Sequence, residues 1–140
     1  WFDAEAALAE FRRILRHEGR LALMWNVRSE DDPFSCEYNR IAHRAQEHSE
    51  VSGRFTPVAR GSDPTVTGLF TITEQPSFDN PQTLDEAALL GRLRSASYFP
   101  RTGPAKAELE RDLHAAFAKY ARQGKVILQQ RTELTLAKPV

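Results

Sequence analysis

The chain has 140 residues, a formal net charge of zero and 27% charged residues. This length and composition are typical of one folded domain with a buried core and exclude a disordered chain. Balanced charge gives no long-range attraction for nucleic acid or anionic lipid, so neither partner is expected. No apolar run reaches the ~20 residues that span a bilayer, and the single Cys36 excludes an intrachain disulfide and a cysteine-based zinc site. We expect a cytoplasmic protein with one domain over residues 1–140 and no metal.

The first elements along the chain are a helix and an apolar strand. Residues 3–16 predict an amphipathic helix that Asp3 caps, with Gly19 as its stop signal. The nearly continuous apolar run 21–27 predicts a strand covered on both faces. Together they form the second half of a β-α-β unit whose first strand is not in this sequence. The apolar face of the helix is predicted to comprise Ala4, Ala7, Leu8, Phe11, Ile14 and Leu15.

A second helix is predicted over 33–47, with Pro33 in its first turn. Asp31 and Asp32 precede it; an acidic pair suits general-base chemistry, but helix capping explains these residues better. Residues 49–68 are rich in Gly and Pro and predict a long loop, which we interpret as a cover over a site. The buried face of the helix is predicted to comprise Phe34, Tyr38, Ile41 and Ala45.

The second half of the chain alternates strands and helices. Pro76 and Pro81 restrict the segment 70–84 to an edge strand or a bulged strand. Helices are predicted over 85–94 and 104–122, the latter with a core face of Leu109, Leu113, Ala116, Phe117 and Tyr120. A long terminal strand is then indicated by Val126, Leu128, Leu134 and Leu136, which share one parity and are interrupted by Gln130 and Thr132.

Several stretches resemble one enzyme family. Trp1-Phe2-Asp3, the helix that ends in Phe11-Arg12-Arg13-Ile14-Leu15-Arg16, and the strand that ends in Trp25-Asn26 resemble the C-terminal half of class I S-adenosylmethionine-dependent methyltransferases of the type 11 kind. Gly91 to Tyr98, Gly124-Lys125-Val126 and the run from Thr132 to Lys138 resemble later parts of that fold. His17-Glu18-Gly19 stands where many members have Pro-Gly-Gly. The family's Gly-rich cofactor turn and its acidic ribose-binding residue are absent from this sequence.

The resemblance implies where a site would lie. Trp1 and Phe2 correspond to the neighbourhood of the family's S-adenosylmethionine, so they are the predicted cofactor contacts. Trp25, Asn26 and Arg28 follow at the carboxyl end of the strand, where ligands bind open α/β sheets. With Tyr38 they are the predicted contacts of a small-molecule methyl acceptor. No catalytic residue is assigned. Because the cofactor motif is missing, this chain alone is expected not to form a complete cofactor site.

The expected architecture is α/β, a three-layer and incomplete doubly wound Rossmann-like sheet that keeps the last three strands. Strand 21–27 should pair antiparallel with the terminal strand, and 70–84 should lie next to that strand. Helices 3–16 and 104–122 should pack on the sheet, and 33–47 and 85–94 should flank it. An unpaired edge at 21–27 or the N-terminal helix predicts a homodimer. Two alternatives to the methyltransferase remain, a non-catalytic dimerisation or regulatory module and a small-ligand binding domain.

Overall fold

A computed structural model describes residues 3–48, 65 and 67–140 of the chain. The fold mixes helices with antiparallel sheet, and the contacts divide it into two compact units. The first unit contains α1 (Ala4–Ile14), β1 (Leu21–Arg28), β2 (Phe70–Glu74), β3 (Ser77–Asp79) and β6 (Gln130–Pro139). The second contains α2 (Pro33–Glu47), β4 (Gln82–Leu84), α3 (Glu86–Arg94), α4 (Gly103–Tyr120) and β5 (Val126–Leu128), together with the end residues Arg28 of β1 and Gln130 of β6.

The sheet of the first unit has the strand order β1-β6-β2, and β3 pairs with β6 further along. Both β2 and β3 run antiparallel to β6, with Phe70 opposite Pro139 and Phe78 opposite Thr132. The register shifts between Ile72 and Glu74, and the ladder breaks at Pro76, whose carbonyl still accepts from the Leu134 N–H at 3.0 Å. The predicted neighbours of the terminal strand, and the bulged character of the 70–79 segment, are therefore confirmed.

The core of the first unit lies between α1 and one face of this sheet. Asp3 caps α1 as predicted, because its carboxylate accepts from the Ala6 N–H at 3.0 Å. Ile14 was expected on the buried face of α1, but it is 58% exposed, since the helix ends at that residue. The buried residues are Leu8, Leu21, Phe70 and Ala137, with Phe11, Leu15, Leu23 and Leu69 partly buried against them.

The turn between α1 and β1 requires glycine at position 19. The Gly19 N–H donates to the Arg16 carbonyl at 2.8 Å. A Cβ at position 19 would lie 2.9 Å from that carbonyl oxygen and 2.9 Å from the Leu15 side chain. The backbone therefore approaches too closely for any larger residue, which supports Gly19 as the turn residue.

Strand β1 was expected to be covered on both faces, and that prediction is wrong for the described residues. Only Leu21 is buried, whereas Ala22 and Asn26 are exposed, and Met24 and Trp25 expose 69% and 46% of their surface. β1 stands at the end of the strand order, so one side of it has no partner strand among the described residues. The strand is therefore more apolar than expected for its low burial among the described residues.

The second unit is a helical cluster built on α2 and α4, with a two-stranded antiparallel sheet of β4 and β5. Asp32 and Asp85 cap α2 and α3, accepting from the Ser35 N–H at 2.7 Å and the Ala88 N–H at 2.8 Å. The predicted buried faces of α2 and α4 are confirmed, with Phe117 and Tyr120 only partly buried. The core comprises Phe34, Tyr38, Ile41, Ala42, Ala45, Leu89, Leu93, Phe99, Leu109, Leu113, Ala116, Val126 and Leu128.

Three placements in the second half of the chain differ from expectation. Segment 70–84 does not form one strand region, because 82–84 pairs with 126–128 in a separate two-stranded sheet. The terminal strand likewise divides into β5 and β6. The Gln129 carbonyl accepts from the Ser29 N–H at 2.8 Å, and the Gln129 N–H donates to Ser35 Oγ at 2.9 Å. The backbone of Gln129 is therefore hydrogen-bonded to the first turn of α2 and to the loop before it. Helix α4 belongs to the second unit, where its apolar face packs on α2 and α3.

Candidate functional site

A buried tyrosine beneath an arginine lies at the start of the second unit. Helix α2 carries Tyr38, which is only 3% exposed. The Arg28 guanidinium lies over its ring, 5.5 Å from the centroid. Arg28 Nε donates to Asn39 Oδ1, and Asn39 Nδ2 in turn donates to the Ser29 carbonyl at 3.1 Å. Asn39 thus fixes the guanidinium in the position where cation–π attraction with the ring is favourable.

A second arginine reaches the same tyrosine from helix α3. Arg92 donates through Nη1 to Gln82 Oε1 and through Nη2 to Gln130 Oε1 at 3.2 Å. Its positive charge also acts on the phenol of Tyr38. A neutral phenol carries a proton that it can donate. We call Arg28, Tyr38, Gln82, Arg92 and Gln130 the Tyr38 cluster.

Gln130 holds the one buried side-chain nitrogen or oxygen without a hydrogen-bond partner in the described part of the chain, its Nε2. The residue as a whole is 6% exposed. Rotating the amide by half a turn would place its NH₂ group against the Arg92 N–H donor, so the contact with Arg92 fixes the orientation. A buried amide donor without an acceptor costs about 1–3 kcal/mol, and such an atom in a folded protein calls for an explanation.

The charge of the Tyr38 cluster is positive. Within the residues that the structure describes, neither Arg28 nor Arg92 forms a salt bridge with a carboxylate. Burial raises the pKa of the Tyr38 phenol, although the positive charges of Arg92 and Arg28 act in the opposite direction. The phenol is therefore neutral at physiological pH and can donate a hydrogen bond.

The predicted site residues fall in different parts of the molecule. Arg28 and Tyr38 lie together in the Tyr38 cluster. Trp25 and Asn26 belong to the first unit, where the Asn26 side-chain oxygen accepts from Thr132 Oγ1 at 2.8 Å. Trp1, Phe2 and nearly all of the predicted cover loop 49–68 lie outside the described residues. No described residue tests their assigned roles.

Sequence reasoning missed three members of the cluster, Gln82, Arg92 and Gln130. Arg92 and Gln82 carried no signal, because a polar residue on a short helix or strand is ordinarily solvated. Gln130 did carry one. It shares the parity of the buried Val126 and Leu128, so an amide occupies a position that the alternation assigns to a core side chain.

The remaining polar candidates have structural roles. Asp32 accepts from both the N–H and the Oγ of Ser35, each at 2.7 Å, so it is a helix cap as expected. Among the described residues no group of three or more His, Cys, Asp or Glu side chains is arranged to hold a metal. Every helix in that part of the chain is too short or too polar to cross a bilayer.

Neither the family models nor the curated proteins include a match to this chain.

Proposed function

We propose that this chain is the C-terminal part of an S-adenosylmethionine-dependent small-molecule methyltransferase with an incomplete Rossmann-like sheet. The observation that carries the proposal is the strand order β1-β6-β2, with β6 inserted between two strands that precede it in the chain. The resemblance implies this arrangement for the last three strands of the family's sheet.

The exposed apolar strand β1 supports the same interpretation. Met24 and Trp25 are large apolar side chains on a strand that has no partner on one side among the described residues. An open edge of this kind favours pairing with another strand. In the proposed enzyme that strand precedes this chain, runs parallel to β1 and belongs to the half that carries the Gly-rich cofactor turn.

The proposal assigns binding roles but no catalytic residue. S-adenosylmethionine supplies the methyl group, and Trp1 and Phe2 are its proposed contacts in this chain. Trp25 and Asn26 in the first unit, and Arg28 and Tyr38 in the second, are each proposed as contacts of the acceptor, because β1 ends at Arg28 and open sheets bind ligands beyond the ends of their strands. Since the sequence has neither the glycine turn nor the acidic ribose contact, cofactor binding requires residues beyond these 140.

Calorimetric titration with S-adenosylhomocysteine tests this function. The protein expressed from the complete reading frame that encodes this chain should bind at micromolar concentration, whereas residues 1–140 alone should give no binding heat. Absence of binding by the longer protein, in a sample that unfolds cooperatively, would contradict the proposal. Binding by both proteins would show that residues 1–140 form a cofactor site, which contradicts the requirement for further residues.

A second candidate is a non-catalytic dimerisation module, and the open edge of β1 is the observation that favours it. Two copies of the chain could pair these edges across a two-fold axis, which would bury Met24 and Trp25. The two candidates differ in the partner of β1, since the enzyme places an upstream strand there and the module places a second copy. In the isolated chain, which has no upstream strand, both candidates predict a homodimer.

A further inference from the structure

The buried amide nitrogen of Gln130 has no hydrogen-bond acceptor, and the nearby arginines have no carboxylate partner among the described residues. Gln130 Nε2 is a buried donor without an acceptor among the described residues. Arg92 donates to Gln130 Oε1, and the neutral Tyr38 phenol has a proton to donate. One chemical group would satisfy all of these atoms, an oxygen-rich anion.

We propose that the Tyr38 cluster binds the carboxylate of a small molecule, which accepts hydrogen bonds from Gln130 Nε2 and from the Arg92 guanidinium. A carboxylate has two oxygens in one plane, and the planar guanidinium fork matches that geometry. Arg28, held over the Tyr38 ring by Asn39, adds a second positive charge. The binding claim stands on these contacts alone, whereas identifying the ligand as the methyl acceptor rests on the proposed function.

The buried amide of Gln130 is next to the partly exposed side chain of Arg92. Gln130 and Tyr38 are buried, whereas Arg28, Gln82 and Arg92 are partly exposed. Because Nε2 itself has no accessible surface, a ligand reaches it only when a neighbouring side chain moves. Arg92 is the side chain that we expect to move, since its long flexible stem can release Gln82 and turn toward an incoming anion.

A carboxylate fits this cluster better than a phosphate. A phosphate monoester carries up to two negative charges and three acceptor oxygens, and proteins commonly bind it with several backbone N–H groups at a helix N-terminus or glycine loop. The donors here are side chains, the Gln130 amide and the Arg92 guanidinium that donates to it. That set matches a single charge shared by two oxygens.

Side-chain amide NMR with benzoate as the probe tests the proposal. Benzoate added to the 140-residue chain should shift the Gln130 NH₂ resonances along a saturable curve, and neutral benzamide should leave them in place. Gln130→Glu replaces the orphan donor with an acceptor and adds a negative charge beside Arg92, so benzoate binding should weaken at least about tenfold. For that variant, binding is followed on the Arg92 Nε–H resonance.

Arg94→Gln is the matched control, because Arg94 lies on the same helix but pairs with Glu110, outside the Tyr38 cluster. This variant should bind benzoate as the parent chain does. The proposal is overturned if benzoate fails to move the Gln130 amide, if benzamide or inorganic phosphate moves it equally, or if Gln130→Glu binds benzoate unchanged. A water contact to Nε2 that benzoate does not displace would also overturn it. Because none of these readouts involves S-adenosylmethionine, they do not depend on the proposed enzyme activity.

Discussion

At the scale of single residues, Ser35 connects two parts of the second unit. Its hydroxyl is fully buried, donates to Asp32 Oδ2 at 2.7 Å and accepts from the Gln129 N–H at 2.9 Å. One small side chain therefore satisfies the capping carboxylate of α2 and the backbone at the junction of β5 and β6. Burial of apolar surface by Ser35 contributes little to stability. Its importance comes from Asp32 Oδ2 and the Gln129 N–H, which would each lose a hydrogen-bond partner without it.

Ser35→Ala should lower the free energy of unfolding by about 1 kcal/mol, because the Gln129 N–H loses its acceptor at a partly buried position. Denaturant unfolding followed by circular dichroism measures the change. Ser97→Ala provides the control, since Ser97 is exposed and its substitution should cost less than about 0.5 kcal/mol. Equal effects of the two substitutions would contradict the role assigned to Ser35.

Tyr38 should make stability depend on pH at the alkaline end. Burial raises the pKa of its phenol in the folded state above the ordinary value near 10. Below that ordinary value the contribution of the neutral phenol is fully present, and it is lost as the pH rises through the folded pKa. The difference in tyrosinate absorbance between the parent and Tyr38→Phe should therefore show a titration displaced above pH ~10. A difference titration at or below that pH would contradict the burial assigned to Tyr38.

At the scale of elements, an ion-pair network joins α2 to α4. Arg44 on α2 forms charged hydrogen bonds with Glu108 and Asp112, which stand one turn apart on α4. The hydrogen bond with Asp112 raises the pKa of the Arg44 guanidinium, which therefore stays charged. These helices also share the main core of the second unit, so the ion pairs supplement an apolar contact.

Arg44→Met should destabilise the second unit by about 1 kcal/mol and leave two like charges adjacent on α4. Added salt screens both the lost attraction and the new repulsion, so the difference from the parent should shrink at high ionic strength. The control is Arg40→Met, which removes only an exposed pair with Glu37 on the same helix. A difference that is independent of salt would indicate that Arg44 acts through packing alone.

The sequence predicts the features of these elements that depend on neighbouring residues, and it does not predict those that depend on contacts distant along the chain. The buried face of α2 was predictable residue by residue, since its spacing and its cap are local features. The division of the last strand at Gln129 was not, because it depends on bonds with Ser29 and Ser35 from a distant part of the chain. The Tyr38 cluster was only half predictable for the same reason, since Arg92 and Gln130 join it from elements remote in sequence.

At the scale of the whole molecule, the open edge of β1 should govern association. The 140-residue chain is expected to form a homodimer in size-exclusion chromatography with light scattering, because pairing of two β1 edges would extend the sheet and cover Met24. Met24→Lys places a charge on the strand and should shift the mass toward the monomer. Ile127→Lys, at another exposed apolar position on β5, should leave it unchanged. A parent chain that is monomeric at high concentration would contradict the prediction.

The proposed methyltransferase function requires β1 to be an interior strand of a larger, cofactor-binding sheet. Hydrogen exchange of the β1 backbone amides, Leu21–Arg28, tests this most directly when residues 1–140 are compared with the product of the complete reading frame at concentrations where the shorter chain is monomeric. We predict slower exchange in the longer protein, and further slowing near Asn26 when S-adenosylhomocysteine is added. Equal exchange in the two proteins, unaffected by that ligand, would contradict both the interior position of β1 and the methyltransferase function.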